Sequence, residues 1–231
     1  MMNLSKANGS QIGSIIRRYI MGFFDNLKNS AVSSLKQSTN SAVNNATHNA
    51  FYNATGGNKD GVGKGKNSSQ TFTFSSIPNS VAELQAFPES CLDSPFKSTA
   101  LVLLVLCNYE RDENNTIEML NFLKGPESVS GLEKQQLKER LTGKYYKPFS
   151  FFAGTSPKNG YIPTEPFTIT VYENPYSFDA ENWAIMWVKS SGADTERQIK
   201  LRRKPSTNQW FLNDIQCLAD IRIPEAEDPW A

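Results

Sequence analysis

Residues 183–215, WAIMWVKSSGADTERQIKLRRKPSTNQWFLNDI, constrain the fold more than any other stretch of the chain. Ile199 and Leu201 alternate with Gln198, Lys200, Arg202 and Lys204, the period of a strand with one buried and one solvated face. Residues 183–189 before it are rich in the aromatic and apolar side chains that suit strands. Between the two, Ser191-Gly192-Ala193-Asp194 offers a two-residue loop. Gly192 at its first central position suits a type II′ turn, which needs a positive φ there. If Ser191 pairs with Asp194, the register follows. Met186 opposes Ile199, Ala184 opposes Leu201 and Val188 opposes Arg197 on one face. Trp187 with Gln198, Ile185 with Lys200 and Trp183 with Arg202 share the other. Residues 205–208 supply a second turn, and 210–215 return as a third strand.

Upstream the pattern turns helical. Ser80 with Glu83, and Ser130 with Glu133, have capping-box spacing, in which a hydroxyl and a carboxylate satisfy the first free N–H groups of a helix. Pro88 closes the first of these helices. Ser94 followed by Pro95 opens another, and its residues 101–107 are apolar all round, which marks a buried central helix. Asn114 or Asn115 caps a third, carrying Ile117, Leu120, Phe122 and Leu123 and stopped by Gly125-Pro126. The helix after Ser130 carries Leu132, Leu137 and Leu141 and ends at Gly143. Residues 71–74, 145–152 and 167–173 read as further strands, the second an edge at best because Pro148 cannot donate to a ladder. Helices first and strands afterwards predict an α+β fold, with N-terminal helices packed on one face of an antiparallel, meander-type sheet.

A tail precedes this domain. Residues 1–55 are basic, and 12–35 place Ile12, Ile15, Ile16, Tyr19, Ile20, Phe23, Phe24 and Leu27 at helical spacing, with Arg17 and Arg18 off that face. Such a segment suits an anionic membrane surface or a partner's groove, or packs on its own domain or on a second copy. Residues 56–70, GGNKDGVGKGKNSSQ, have linker composition and miss the phosphate-loop pattern, since Gly65 follows Lys64 and no apolar strand leads in. Residues 71–231 then form a single α+β domain. Charge divides unevenly: 1–70 hold eight Lys/Arg against two Asp, and the rest of the chain holds 16 against 21 Asp/Glu.

Several chemistries are excluded by what the domain lacks. His48 is the only histidine and lies in the tail, so residues 71–231 hold no Ser-His-Asp or Cys-His mechanism and no His-bearing zinc site. Cys91, Cys107 and Cys217 are odd in number and widely spaced, which suits a reducing compartment and a cytoplasmic protein. The longest apolar run, residues 100–107, is too short to span a membrane. No carboxylate pair, among them Asp112 with Glu113 or Asp194 with Glu196, has a spacing that demands a shared site. The stripe Lys200, Arg202 and Lys204 beside Trp183 suits single-stranded nucleic acid by charge and stacking, or is a solvated strand face with one cation–π pair, Trp183 with Arg202. The acidic balance of the domain weighs against nucleic acid.

Ser190-Ser191-Gly192-Ala193-Asp194, Arg197, Ile199, Leu201-Arg202, Gln209-Trp210-Phe211-Leu212, Ile221-Arg222, Pro224 and Glu227-Asp228-Pro229-Trp230 resemble the C-terminal signature of an uncharacterised bacterial domain family of Gram-positive, clostridia-like genomes. The likeness spans most of 71–231 and is strongest over its C-terminal quarter. That family's pattern often continues after Asp194 with a small residue and Pro, where this chain has Thr195-Glu196. Met21-Gly22-Phe23-Phe24 is similar to the opening of its members, which makes Met21 a candidate start and 1–20 a candidate untranslated stretch. The resemblance implies a bacterial cytosolic protein and brings no activity, cofactor or catalytic residue with it. Three functions stay open. The first is a non-enzymatic interaction module that docks a protein partner, a second copy or a membrane surface. The second is a ligand or enzyme pocket in a cone-shaped, nuclear-transport-factor-like α+β fold, lined by Trp183 or Trp187, Tyr145 or Tyr146, Arg197 and Asp194. The third is RNA binding at the basic strand face. No cofactor or metal is expected. The candidate binding residues are Asp194, Arg197 and Trp210 around the Gly192 turn, with Trp183 and Arg202 beside them.

Overall fold

The computed structural model describes residues 67–230. The expectations for residues 12–35, and for the tail and linker as far as residue 66, lie outside the described residues.

A strand opens the domain. β1 (Ser69–Phe74) alternates Thr71 and Thr73 toward solvent with Phe72 and Phe74 toward the core. It takes in the strand read over 71–74 and starts two residues earlier, within the stretch read as linker, and the helices lie between it and the second strand. α1 (Val81–Gln85) is capped by Ser80, whose hydroxyl accepts from the Glu83 N–H at 3.2 Å. The Glu83 carboxylate accepts from the N–H of Asn79 instead of the cap residue. α2 (Pro95–Leu106) begins after Ser94 with Pro95 in its first turn, and every residue but Lys97 is buried. Ser94 holds the cap position without a side-chain bond. α3 (Glu113–Lys124) is capped by Asp112, correcting Asn114 or Asn115. The Asp112 carboxylate accepts from both the backbone N–H of Asn115 (2.9 Å) and its side-chain amide (2.8 Å), a stronger acceptor than an amide oxygen at a helix N-terminus. α4 (Gly131–Leu141) has the full Ser130–Glu133 capping box. Its Leu137 and Leu141 are buried, but Leu132 is 67% exposed.

The strand expected over 145–152 is not there. Tyr146–Phe149 is a single helical turn, α5, followed by bends. Tyr146, Pro148, Phe149, Phe151 and Phe152 are all buried, so the stretch has no two-residue alternation to hold it as a half-exposed strand. β1 occupies the sheet position beside β2. The segment after α5 meets β2 through Ala153 N–H, which donates to Thr168 O at 2.8 Å, and through the Phe152 ring, edge-on to Phe167 at 6.2 Å.

The sheet has five strands in the order β1-β2-β3-β4-β5, every neighbour antiparallel. β2 is Phe167–Tyr172, β3 Trp183–Val188, β4 Arg197–Lys204 and β5 Gln209–Ile215. The β3–β4 register is the one the sequence predicts, from Trp183 opposite Arg202 to Val188 opposite Arg197. The turn differs. Pairing stops at Val188 opposite Arg197, and Gly192 does not take the positive φ of a type II′ turn. The β4–β5 turn holds Asn208 at φ 57°, and a bulge between Lys200 and Leu201 shifts the register with β5. β2 and β3 share only the pairs Val171 with Val188 and Tyr172 with Trp187.

α2 lies across one face of the sheet and touches all five strands. Ile169, Val171, Ala184, Met186, Ile199 and Leu201 face it with 0–1% exposure. Each large side chain buried this way contributes about 2 kcal/mol. Of the candidate residues, Trp183 and Arg202 stand on the other face, turned away from α2.

Candidate functional site

Alternation along β3 and β4 puts Trp183, Ile185 and Trp187 on that outer face, opposite Arg202, Lys200 and Gln198. Trp183 is the centre of the arrangement. Lys200 Nζ stands 4.6 Å from its ring centroid and the Arg202 guanidinium 5.4 Å. A ring's negative π-face attracts cations, and two of them on one indole concentrate positive charge at a fixed place. Lys189 repeats the contact over Tyr172 at 4.8 Å. Loose carboxylates attend these cations: Glu127 lies 3.6 Å from Arg202, and Glu196 lies 3.7 Å from Lys189. Lys200 sits directly opposite Asp214. The Trp183–Arg202 pairing is therefore as the sequence implies, but Lys200 is the nearer cation. It was legible too, because it shares the face of Arg202 two residues earlier.

Asp194 and Arg197 do not meet each other. The Arg197 guanidinium donates to Ala219 O at 3.1 Å, Asp220 O at 3.0 Å and the Thr195 hydroxyl at 2.6 Å. Its donors are occupied in holding the chain after β5. Asp194 pairs with Arg222 at 2.5 Å, with both side chains well exposed. Around them the Ser190-Ser191-Gly192 stretch is tied to the segment after α5. Ser190 Oγ donates to Ser150 Oγ at 2.7 Å, and Ser191 N–H donates to Ser150 O at 2.9 Å. Thr155 and Ser191 share a hydroxyl contact at 2.9 Å. Arg222 N–H donates to Gly192 O at 2.9 Å, and Tyr161 Oη donates to Arg222 O at 2.7 Å. Ser150 and Tyr161, absent from the candidate residues, complete this knot. No local pattern marks them, since their partners lie 40 and 61 residues away in the chain.

Trp210 stands apart from both groups. Paired with Arg203, it lies on the face away from Arg202 and Trp183. Its N–H donates to Leu92 O at 2.8 Å, its carbonyl accepts from Ser98 Oγ at 2.7 Å, and its ring meets Phe178 edge-on at 6.0 Å. It anchors the sheet edge to α2.

The tyrosines expected around a pocket also serve the knot. Tyr146 stacks on Tyr161 with centroids 5.5 Å apart. Burial, with Tyr146 behind it, pushes the Tyr161 phenol up to about 12 against the pull of Arg222. Burial and the Glu227 charge do the same for Tyr145, again up to about 12. Burial likewise drives the Cys217 thiol to about 12. These groups are held in their neutral forms, as packing groups are. A cavity of about 30 Å³ lies elsewhere, between α3, α4 and β5, lined by Leu120, Lys124, Leu137, Leu212 and Leu218 among others. It has room for a water or two, well short of a metabolite.

A family model described as a domain of unknown function, DUF6935, matches residues 76–225, well over half of the chain. The chain belongs to the DUF6935 family. No curated protein and no solved structure matches it. The DUF6935 match takes in helices α1 to α5, strands β2 to β5 and the whole serine–arginine knot, ending at Glu225. Among the described residues no group of three or more His, Cys, Asp or Glu is placed to hold a metal ion. Among them, too, no helix is long and apolar enough to cross a membrane.

Proposed function

We propose that the DUF6935 domain is a non-enzymatic binding module that docks an acidic segment of a partner protein on the outer face of its sheet. The observation that carries this reading is Trp183 flanked by Lys200 and Arg202, at 4.6 and 5.4 Å, on the sheet face turned away from α2. A partner's carboxylate can reach the two cations while its apolar atoms lie on the indole. The resident carboxylates do not block this. The Arg202–Glu127 contact is 58% and 61% exposed on its two sides, and such pairs hold by less than about 1 kcal/mol, so exchange costs little.

Candidate residues Asp194, Arg197 and Trp210 take supporting roles in this reading. Trp183 and Arg202 keep the binding role, with Lys200 added. The net acidic charge of residues 71–231 disfavours the continuous phosphate run of an RNA, whereas a short acidic segment needs only the two cations at Trp183. Residues 12–35 are a second contact, for a partner groove or an anionic membrane, on the strength of their basic amphipathic pattern. The resemblance and the three unpaired cysteines support a bacterial cytosolic setting.

The test is fluorescence anisotropy with the full chain and three probes: a fluorescein-labelled glutamate-rich peptide carrying one Trp, an oligouridylate, and phosphatidylglycerol vesicles. The reading expects saturable peptide binding that weakens with salt and with Trp183→Ala. Silence of the peptide, or preference for the oligouridylate, would overturn it.

A further inference from the structure

The two edges of the sheet are treated differently. At the β5 edge three outward groups are occupied: Trp210 N–H by Leu92 O, Trp210 O by Ser98 Oγ, and Ile215 O by Arg140 Nη1. Among the described residues β1 pairs with β2 alone. Antiparallel strands bond through alternate residues, so one bond sets the phase of all. Glu173 N–H donates to Ser68 O, which makes residues 68, 70, 72 and 74 the ones that bond to β2. Thr168, opposite Thr73, confirms the phase by turning its carbonyl away from β1 to accept from Ala153 N–H. The close side-chain contact of Thr71 with Thr170, at 2.9 Å, is also what a non-bonded pair gives. The N–H and C=O groups of Ser69, Thr71 and Thr73 therefore point out of the sheet, and among the described residues nothing pairs with them.

We propose that this edge is an interface with a second copy of the chain, β1 against β1 in antiparallel register about a two-fold axis at Thr71. The outward set is symmetric about that residue. The axis places Thr71 opposite Thr71 of the other copy and Ser69 opposite Thr73, so every outward group meets an outward group. Nothing on the strand opposes the approach. Exposed edges are ordinarily blunted by Lys, Pro or an inward charge. β1 has none of these, and no charged residue occurs from 67 to 82. Phe72 and Phe74 stay in the core while the exposed Thr71 and Thr73 extend the threonine pairs already made with Thr170 and Thr168. The pairing is isologous, so it closes on itself, and the capped β5 edge ends the joined sheet at both sides.

Sedimentation velocity of the full chain across low to high micromolar concentration tests this. The expected result is a monomer–dimer equilibrium that Thr71→Pro abolishes, with the far-UV spectrum unchanged because the lost N–H faces outward. Thr71→Val, which keeps the N–H, is expected to remain dimeric. Amide exchange of the unaltered chain gives an independent readout: protection at Ser69, Thr71 and Thr73 rises with protein concentration. A monomer throughout, a dimer indifferent to folded Thr71→Pro, or protection at those amides independent of concentration would overturn the proposal.

Discussion

Tyr161 Oη occupies the space that a β-carbon on residue 192 would need. Gly192 is thus required by a close approach and not by the turn geometry that its sequence context suggests. The same hydroxyl donates to Arg222 O at 2.7 Å, and Arg222 N–H returns to Gly192 O at 2.9 Å, so three separate segments meet at one point. Tyr161 is 1% exposed and has nowhere to move. Gly192→Ala is expected to destabilise the fold by about 2–3 kcal/mol through overpacking. Tyr161→Phe alone costs about 1 kcal/mol for the lost hydrogen bond. The double variant is expected to be more stable than the two costs added, because removing the hydroxyl makes room for the methyl group. Urea denaturation of the three variants measures this.

Arg197 and Asp194 lie close in sequence and differ in consequence. Arg197 donates to two backbone carbonyls, of Ala219 and Asp220, that otherwise hold the segment after β5. Arg197→Ala is expected to cost about 2 kcal/mol and to open residues 216–224 to limited proteolysis. Arg197→Lys should recover part of this, since an ammonium cannot reproduce the fork. Asp194 is 81% exposed in its pair with Arg222, so Asp194→Ala is expected to change stability by less than about 1 kcal/mol.

The Lys124–Glu133 pair gives the fold an acid limb. Lys124 is 6% exposed and lies 2.6 Å from Glu133. Burial pushes the Glu133 carboxyl up, but Lys124 and the Ser130 N–H and hydroxyl outweigh it and leave the carboxyl below its ordinary value of 4.5. A carboxyl with a depressed folded-state pKa contributes fully above the unfolded value and loses that contribution as pH falls through the folded one. Stability of the native chain is therefore expected to decline as pH drops below about 4.5. Glu133→Gln is expected to be less stable at neutral pH and to converge on the native chain in acid. Thermal melts across that range check it.

What the sequence revealed was local and periodic. The β3–β4 register was legible because Ile199 and Leu201 alternate with polar neighbours and a one-residue slip would expose them. The central helix was legible because residues 101–107 admit no polar face. The Ser130–Glu133 box was legible because its partners lie three residues apart. Residues 145–152 misled because their aromatics look like strand residues, while all-round burial among distant loops decided their shape. Asp112 was passed over for Asn114 and Asn115, since several capping residues stand in a row and only geometry chooses among them. At the site, Trp183 with Arg202 followed from register. The roles of Asp194 and Arg197 did not, because they depend on residues 219–222, folded back by contacts with no local signature. The C-terminal signature thus reads as the wiring of the knot, and the outer face depends on a simpler alternation.

The division between a structural knot and a binding face is tested most directly by titrating the labelled glutamate-rich peptide onto the native chain, Trp183→Ala and Arg197→Lys, with the melting temperature of each recorded. The account predicts that Trp183→Ala weakens binding by at least about tenfold at nearly unchanged melting temperature, the loss of one well-placed aromatic contact. It predicts that Arg197→Lys lowers the melting temperature and leaves the affinity of the folded protein as it was. Equal affinity for the native chain and Trp183→Ala, or loss of binding in folded Arg197→Lys, would contradict it.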